Sequence, residues 1–167
     1  QVARWLNTLG VAGIVLKYRV SDRMGAAYQH PVPLLDARQA VRLTRARANE
    51  WGIDPQRIGI MGFSAGGHLA STAATLFDGG DASAPAPIDR VSSRPDFAVL
   101  VYPVIVMGES ITHKGSQTNL LGDRLSPDLI AKLSTDKQVT ARTPPAFLFH
   151  TNEDAGVPPE NSVRFYL

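Results

Sequence analysis

One pentapeptide narrows the folds open to this chain more than any other feature. Gly62-Phe63-Ser64-Ala65-Gly66 fits G-x-S-x-G, with the β-type residues Ile58, Ile60 and Met61 before it and the helix-forming run Gly67-His68-Leu69-Ala70 after it. A serine flanked by glycines between a strand and a helix marks a sharp turn on which the backbone is strained. The residues two before and two after it must lack bulk where segments crowd, a need that Gly62 and Gly66 are expected to meet. Such a turn lifts the hydroxyl clear of the sheet edge and sets it at a helix N-terminus, where unpaired N–H groups favour developing negative charge. Ser64 is therefore the candidate nucleophile, and the amide of Ala65 the candidate oxyanion donor. A serine that only caps the helix is the competing reading.

The segments around this turn follow a βαβ rhythm. Val2, Trp5, Leu6 and Leu9 recur at helical spacing and Gly10 follows, which predicts an amphipathic helix over residues 1–9 covering one face of a sheet. Ala12 to Tyr18 reads as a strand buried on both faces, and Arg19 to Pro33 as a loop. From Leu34 to Trp51 apolar residues step by three and four with arginines opposite, a helix expected to end at Gly52 and to turn its arginine face to solvent. Phe97 to Tyr102 and Ala146 to His150 predict two further strands. Between them, Asp78 to Pro95 and Val104 to Leu125 read as irregular connections, and a short helix runs from Ser126 to Leu133. Strand and helix in alternation imply a parallel sheet with right-handed crossovers.

Composition restricts the function classes. With 167 residues, 44% hydrophobic and 19% charged, the chain suits one soluble globular domain and neither disorder nor a membrane span. A net charge of +2 is spread along the chain, and the Arg38 to Arg47 cluster reads as one face of a helix, so no nucleic-acid partner is implied. The absence of cysteine excludes disulfides, thiolate metal sites and a cysteine nucleophile. No H-E-x-x-H, Walker A or G-x-G-x-x-G pattern occurs, so neither metal nor cofactor is expected.

The run from Trp51 to Ala70, WGIDPQRIGIMGFSAGGHLA, resembles the nucleophile region of α/β-hydrolase esterases. It is most similar to the bacterial acetyl-xylan-esterase-like and BD-FAE-like carbohydrate esterases. The resemblance implies a three-layer α/β-hydrolase fold with a mostly parallel sheet, incomplete at both ends. In that family a strand and a glycine-rich oxyanion loop precede the segment at Gln1, and a loop carrying a catalytic histidine follows the helix that begins before Leu167. The chain is thus expected to be one partial domain of a larger esterase, little active alone. The implied substrate is a small-molecule or carbohydrate ester of a short acyl group, with no membrane partner. Two alternatives share the motif: a serine peptidase of the prolyl-oligopeptidase type and a non-catalytic binding protein of the same fold.

A serine nucleophile needs a base and an acid that orients it. In the family the acid lies in a D-x-x-V-P loop just past a strand, and Asp154-Ala155-Gly156-Val157-Pro158 matches it. Glu153 misses that spacing, and a turn-forming role for Asp154 is the plain alternative. None of His30, His68, His113 and His150 stands where the family places its base. His150, at the end of a strand, is the first substitute to weigh, and the base is otherwise expected beyond Leu167.

Overall fold

A computed structural model describes residues 1–21 and 28–167. Three strands form its sheet, β1 (Gly59–Phe63), β2 (Phe97–Val101) and β3 (Ala146–Phe149), in the order β1-β2-β3. Both pairs are parallel, and the register brings Phe63 opposite Val101 and Val101 opposite Phe149. The three strands therefore end level, and whatever follows Phe63, Val101 and Phe149 gathers along one sheet edge. That edge is where open α/β sheets place their sites.

Alternation along the strands decides which face is packed. Ala98 and Leu100 of β2 are fully buried and join Ile60 and Leu148 against Ala70 and Ala74 of α3 (Ala65–Thr75) and Phe165 of α6 (Glu160–Tyr166). Helix α2 (Val32–Ala46) packs Leu34 and Ala37 on Leu69 and Ala73 of α3, which extends the same layer. The alternate residues Phe63, Phe97, Phe147 and Phe149 stay substantially exposed. Helix α1 (Val2–Thr8) was expected to cover a sheet face. It buries none of its residues and instead stands across a wide groove from Met61 and Val99.

Four sequence expectations are corrected. Ala12 to Tyr18 forms no strand, and Ile14, Val15 and Leu16 are exposed, because an apolar run needs a neighbouring strand to bond its amides and none lies beside it among the described residues. Helix α2 begins at Val32, inside the predicted Arg19–Pro33 loop, of which residues 22–27 lie outside the described residues. It ends at Ala46 rather than at Gly52, and the chain reaches Gly52 through turns, with φ 66 there. The arginine face of α2 is not simply solvated. Arg42 pairs with Asp78 and donates to the Val91 carbonyl, and Arg45 pairs with Asp96 at 2.9 Å and donates to the Ser92 carbonyl. These arginines clamp the connection between α3 and β2 and supply donors to the Val91 and Ser92 carbonyls.

The fourth correction concerns Val104 to Leu125. Its first four residues, Val104 to Met107, are fully buried. Later it forms a helix, α4 (Lys114–Leu121), capped by His113, whose Nδ1 accepts from the Ser116 amide at 3.2 Å. The sequence KGSQTNLL has too few apolar residues for its helical period to stand out. Helix α5 (Pro127–Leu133) begins as expected, with Ser126 accepting from the Leu129 amide.

Candidate active site

Ser64 directly follows β1 and occupies the N-cap of α3 with φ 51 and ψ −118. Positive φ costs a non-glycine residue about 1–3 kcal/mol and persists only where the surroundings enforce it. The enforcement is visible. Ser64 donates its amide to the Val101 carbonyl at 3.1 Å, continuing the β1–β2 ladder, while its own carbonyl accepts from His68, one helical turn on, and from Val104, both at 3.1 Å. The backbone is thus fixed to strand, helix and the segment after β2 at once.

A serine that merely capped α3 would bond a helix amide. Ser64 makes no side-chain cap bond, and the residue is partly exposed. Its hydroxyl is left to the open edge. The amide of Ala65 has no intrahelical acceptor at its position and donates to no protein carbonyl or side chain among the described residues. It faces an anion-favouring helix end.

Crowding at this turn falls on Gly62, as expected, and on Gly67 in place of Gly66. A Cβ on Gly62 would lie 2.0 Å from the Gly66 oxygen and 2.7 Å from the Gly67 nitrogen, so Gly62 lets the helix backbone press against the strand. A Cβ on Gly67 would lie 2.8 Å from Pro103. One on Gly66 would meet nothing nearer than the Tyr18 hydroxyl at 3.9 Å among the described residues. The small residues required are Gly62 and Gly67, because α3 points the side-chain position of Gly67, and not that of Gly66, at the segment after β2.

Asp154 lies five residues past the end of β3, on the edge that carries Ser64. With strands about 4.8 Å apart, β1 and β3 are separated by about 10 Å, a width that two hydrogen bonds of about 3 Å and one imidazole ring fill. Asp154 Oδ1 accepts from the amides of Gly156 and Val157, both at 2.9 Å. The turn-forming role considered for Asp154 is therefore real, and it uses one oxygen. Donation from Val157, then from Gly156, holds the carboxyl below the usual carboxylate range, with His150 and His113 adding a smaller pull. Glu153 is exposed, with no partner among the described residues.

Three of the four histidine rings are bonded elsewhere. His68 is buried in α3, its Nε2 donating to the Leu133 carbonyl at 2.8 Å, and burial pushes its pKa down. His113 caps α4. His30 is half-buried and lowered to about 4, first by burial and then by Lys132, His68, Arg124 and Arg38. His150 donates from Nε2 to the Val157 carbonyl at 2.8 Å, and its Nδ1 lies 2.7 Å from the Ser162 hydroxyl. Its ring braces the acid loop from beneath, with Nε2 3.7 Å from Asp154 Oδ2, and both ring nitrogens are engaged.

Beside Ala65 a cavity of about 270 Å³ opens, walled mainly by Tyr18, Leu34, Leu69, Met107 and Leu133. Among the described residues no group of three or more His, Asp or Glu side chains could hold a metal ion, and no helix is long and apolar enough to cross a membrane.

Comparison with known proteins agrees on one family. The BD-FAE family matches residues 2–167. The chain is 38% identical to an acetylxylan esterase of Xylanibacter ruminicola over 99% of its own length and 32% of that protein's. It is 40% identical to an endo-1,4-beta-xylanase B of Butyrivibrio fibrisolvens over 93% of its length and 24% of that protein's. Among solved structures, an acetyl ester-xyloside bifunctional hydrolase from Caldicellulosiruptor lactoaceticus superimposes with a TM-score of 0.94 at 49% identity. That match covers 99% of this chain and 58% of that one. The chain thus spans about a third or less of the length of these two curated relatives. The fold of these neighbours is the α/β-hydrolase type.

Proposed function

The chain belongs to the BD-FAE family, and from that premise we propose that it is the nucleophile- and acid-bearing part of a carboxylic-ester hydrolase that works through a serine acyl-enzyme. Residues 1–167 then form part of one α/β-hydrolase domain. The observation that carries this reading is the backbone of Ser64, held at φ 51 with its side chain free of any cap bond. Nothing in helix capping accounts for maintaining such strain, whereas a nucleophile presented at a sheet edge does.

In this mechanism Ser64 Oγ attacks the ester carbonyl while an imidazole takes its proton. The Ala65 amide stabilises the oxyanion, a contribution of about 2.7–4 kcal/mol for one such donor in serine hydrolases. Asp154, kept ionised by the Val157 and Gly156 amides, orients the imidazole through Oδ2 and stabilises its charged form. The same imidazole then protonates the leaving alcohol, and water releases the acid. His68, His113 and His150 are engaged as described and His30 does not stand where the family places its base, so in this reading the base is a histidine other than these four.

The acyl group is short and the alcohol a carbohydrate. This is supported by the acetylxylan esterase and the acetyl ester-xyloside hydrolase among the relatives, and the described residues that wall the cavity beside Ala65 carry no Asp, Glu, Lys or Arg, which suits a neutral ester. The full-length protein is expected to hydrolyse an aryl acetate and to release acetate from acetylated xylan. Ser64→Ala is expected to abolish both activities. Retained turnover in that variant overturns the proposal.

A further inference from the structure

The segment after β2 connects the nucleophile turn to the acid loop, and from Val104 to Met107 each amide is held from outside the sheet. The Val104 amide donates to the Ser64 carbonyl at 3.1 Å. The amides of Ile105 and Val106 both donate to Asn161 Oδ1, at 2.9 and 3.0 Å. The Met107 amide donates to the Ser134 hydroxyl at 3.0 Å. Residues 104–107 are completely buried, so none of these amides has water as an alternative.

Asn161 is itself completely buried at the start of α6. Its Nδ2 donates to the carbonyls of Ile111 at 3.1 Å and Pro158 at 3.0 Å. Two amides facing one side-chain atom and two carbonyls facing the other fix which end of the carboxamide is oxygen. All four of its bonding positions are used. Pro158 closes the turn in which Val157 donates to Asp154 Oδ1 at 2.9 Å. An unbroken path therefore runs from the Ser64 carbonyl through residues 104–106 and Asn161 to Pro158 and the Asp154 carboxylate.

We propose that Asn161 is a positioning residue for catalysis, the side chain that fixes the acid loop against the nucleophile turn and so sets the separation of Asp154 from Ser64. The inference rests on the Ser64 and Asp154 assignment above. Packing alone would not demand an asparagine here. A leucine would leave the amides of Ile105 and Val106 and the carbonyl of Ile111 unpaired, the Pro158 carbonyl keeping the backbone amide of residue 161, and an aspartate would keep the acceptor while turning a carboxylate oxygen toward two carbonyls. The carboxamide matches donors on one side and acceptors on the other, and this fixes the register between the two loops. Misplacing a reacting group by about 1 Å costs on the order of 100-fold in rate.

The test uses the full-length protein and four variants: Asn161→Asp, Asn161→Thr, Val41→Ala and Ser64→Ala. Val41 is buried in α2 away from the site, and its truncation supplies a packing loss without touching the path. Competent sites are counted by fluorophosphonate titration, and kcat per titrated site, KM and the pH profile of kcat/KM are measured on an aryl acetate. Expected for Asn161→Asp is a fall of roughly 100-fold in kcat per site with little change in KM. Its acid limb should move to lower pH, because an imidazole that loses its carboxylate neighbour is easier to deprotonate. Asn161→Thr, which retains one acceptor and cannot donate twice, should show the same signature more weakly, and it carries the comparison if Asn161→Asp does not fold. Val41→Ala should lower the melting temperature and leave kcat per site and the limb in place. Asn161 variants that behave like Val41→Ala overturn the inference while leaving the esterase reading intact. Activity surviving in Ser64→Ala overturns that reading and this inference with it.

Discussion

Placing a methyl group on Gly62 tests the architecture of the nucleophile turn directly. The added Cβ would lie 2.0 Å from the Gly66 oxygen, 2.4 Å from its carbonyl carbon and 2.7 Å from the Gly67 nitrogen. All three are backbone atoms of the first turn of α3, so no side-chain rotation relieves the contact, and the oxygen alone would have to retreat by about 1 Å to reach even a tight separation. Overpacking against movable side chains costs about 1–3 kcal/mol, and against fixed backbone the upper end or more applies. At about 2–4 °C per kcal/mol for a domain of this size, Gly62→Ala should lower the melting temperature by roughly 6–12 °C. Any folded fraction should have its helix N-terminus pushed off Ser64 and should react with a fluorophosphonate at least about tenfold more slowly, a loss of about 1.4 kcal/mol in transition-state stabilisation. Gly66→Ala is the internal control, since among the described residues its Cβ meets only the Tyr18 hydroxyl at 3.9 Å and alanine favours helix by up to about 1 kcal/mol. That variant should melt at or slightly above the parent temperature. Differential scanning calorimetry with timed labelling distinguishes them. A Gly62→Ala protein as stable and as reactive as Gly66→Ala would refute the steric argument.

Three further outcomes follow from the same geometry. Ser64→Gly should raise stability by about 1 kcal/mol while abolishing turnover, because glycine adopts φ 51 without penalty; a less stable variant in urea titrations would show that the turn is not strained. Burial lowers His30 from 6.5 to about 4. The unfolded chain therefore binds a proton that the folded chain refuses, and stability should decline as pH falls from about 6.5 to about 4, with no further His30 contribution below. Full burial would make this about 3 kcal/mol, and half exposure reduces it to about 1; a His30→Gln variant with an unchanged slope in this window would contradict the assignment. Lastly, residues 1–167 expressed alone should self-associate with concentration. Among the described residues β1 and β3 each pair on one side only, and Phe147 and Phe149 are 63% and 51% exposed; a monodisperse monomer with a sharp melt in light scattering would argue otherwise.

Much of the site was legible because its requirements are local. Gly62 and Ser64 encode a turn whose constraints lie within a few residues, and the five-residue spacing of Asp154 from Phe149 places it on the edge by chain length alone. What the sequence concealed depends on contacts between distant segments. The arginines of α2 look solvated on a helical wheel and are drawn inward by Asp78 and Asp96, far along the chain. Gly67 looks like one more small helix residue until Pro103 packs against it. Asn161, in an unremarkable Pro-Glu-Asn-Ser run, acquires its role only when the amides of Ile105 and Val106 meet it. Ala12 to Tyr18 shows the converse, since strand composition without an adjacent ladder partner yields a largely exposed run with no strand.

The central claim is that Ser64 is the residue that accepts the acyl group, and mass spectrometry of the full-length protein after fluorophosphonate treatment tests it most directly. Expected is a single stoichiometric adduct on the peptide carrying Ser64, absent after Ser64→Ala and formed much more slowly in Asp154→Asn. An adduct on another residue, or labelling of undiminished rate in Ser64→Ala, would contradict it.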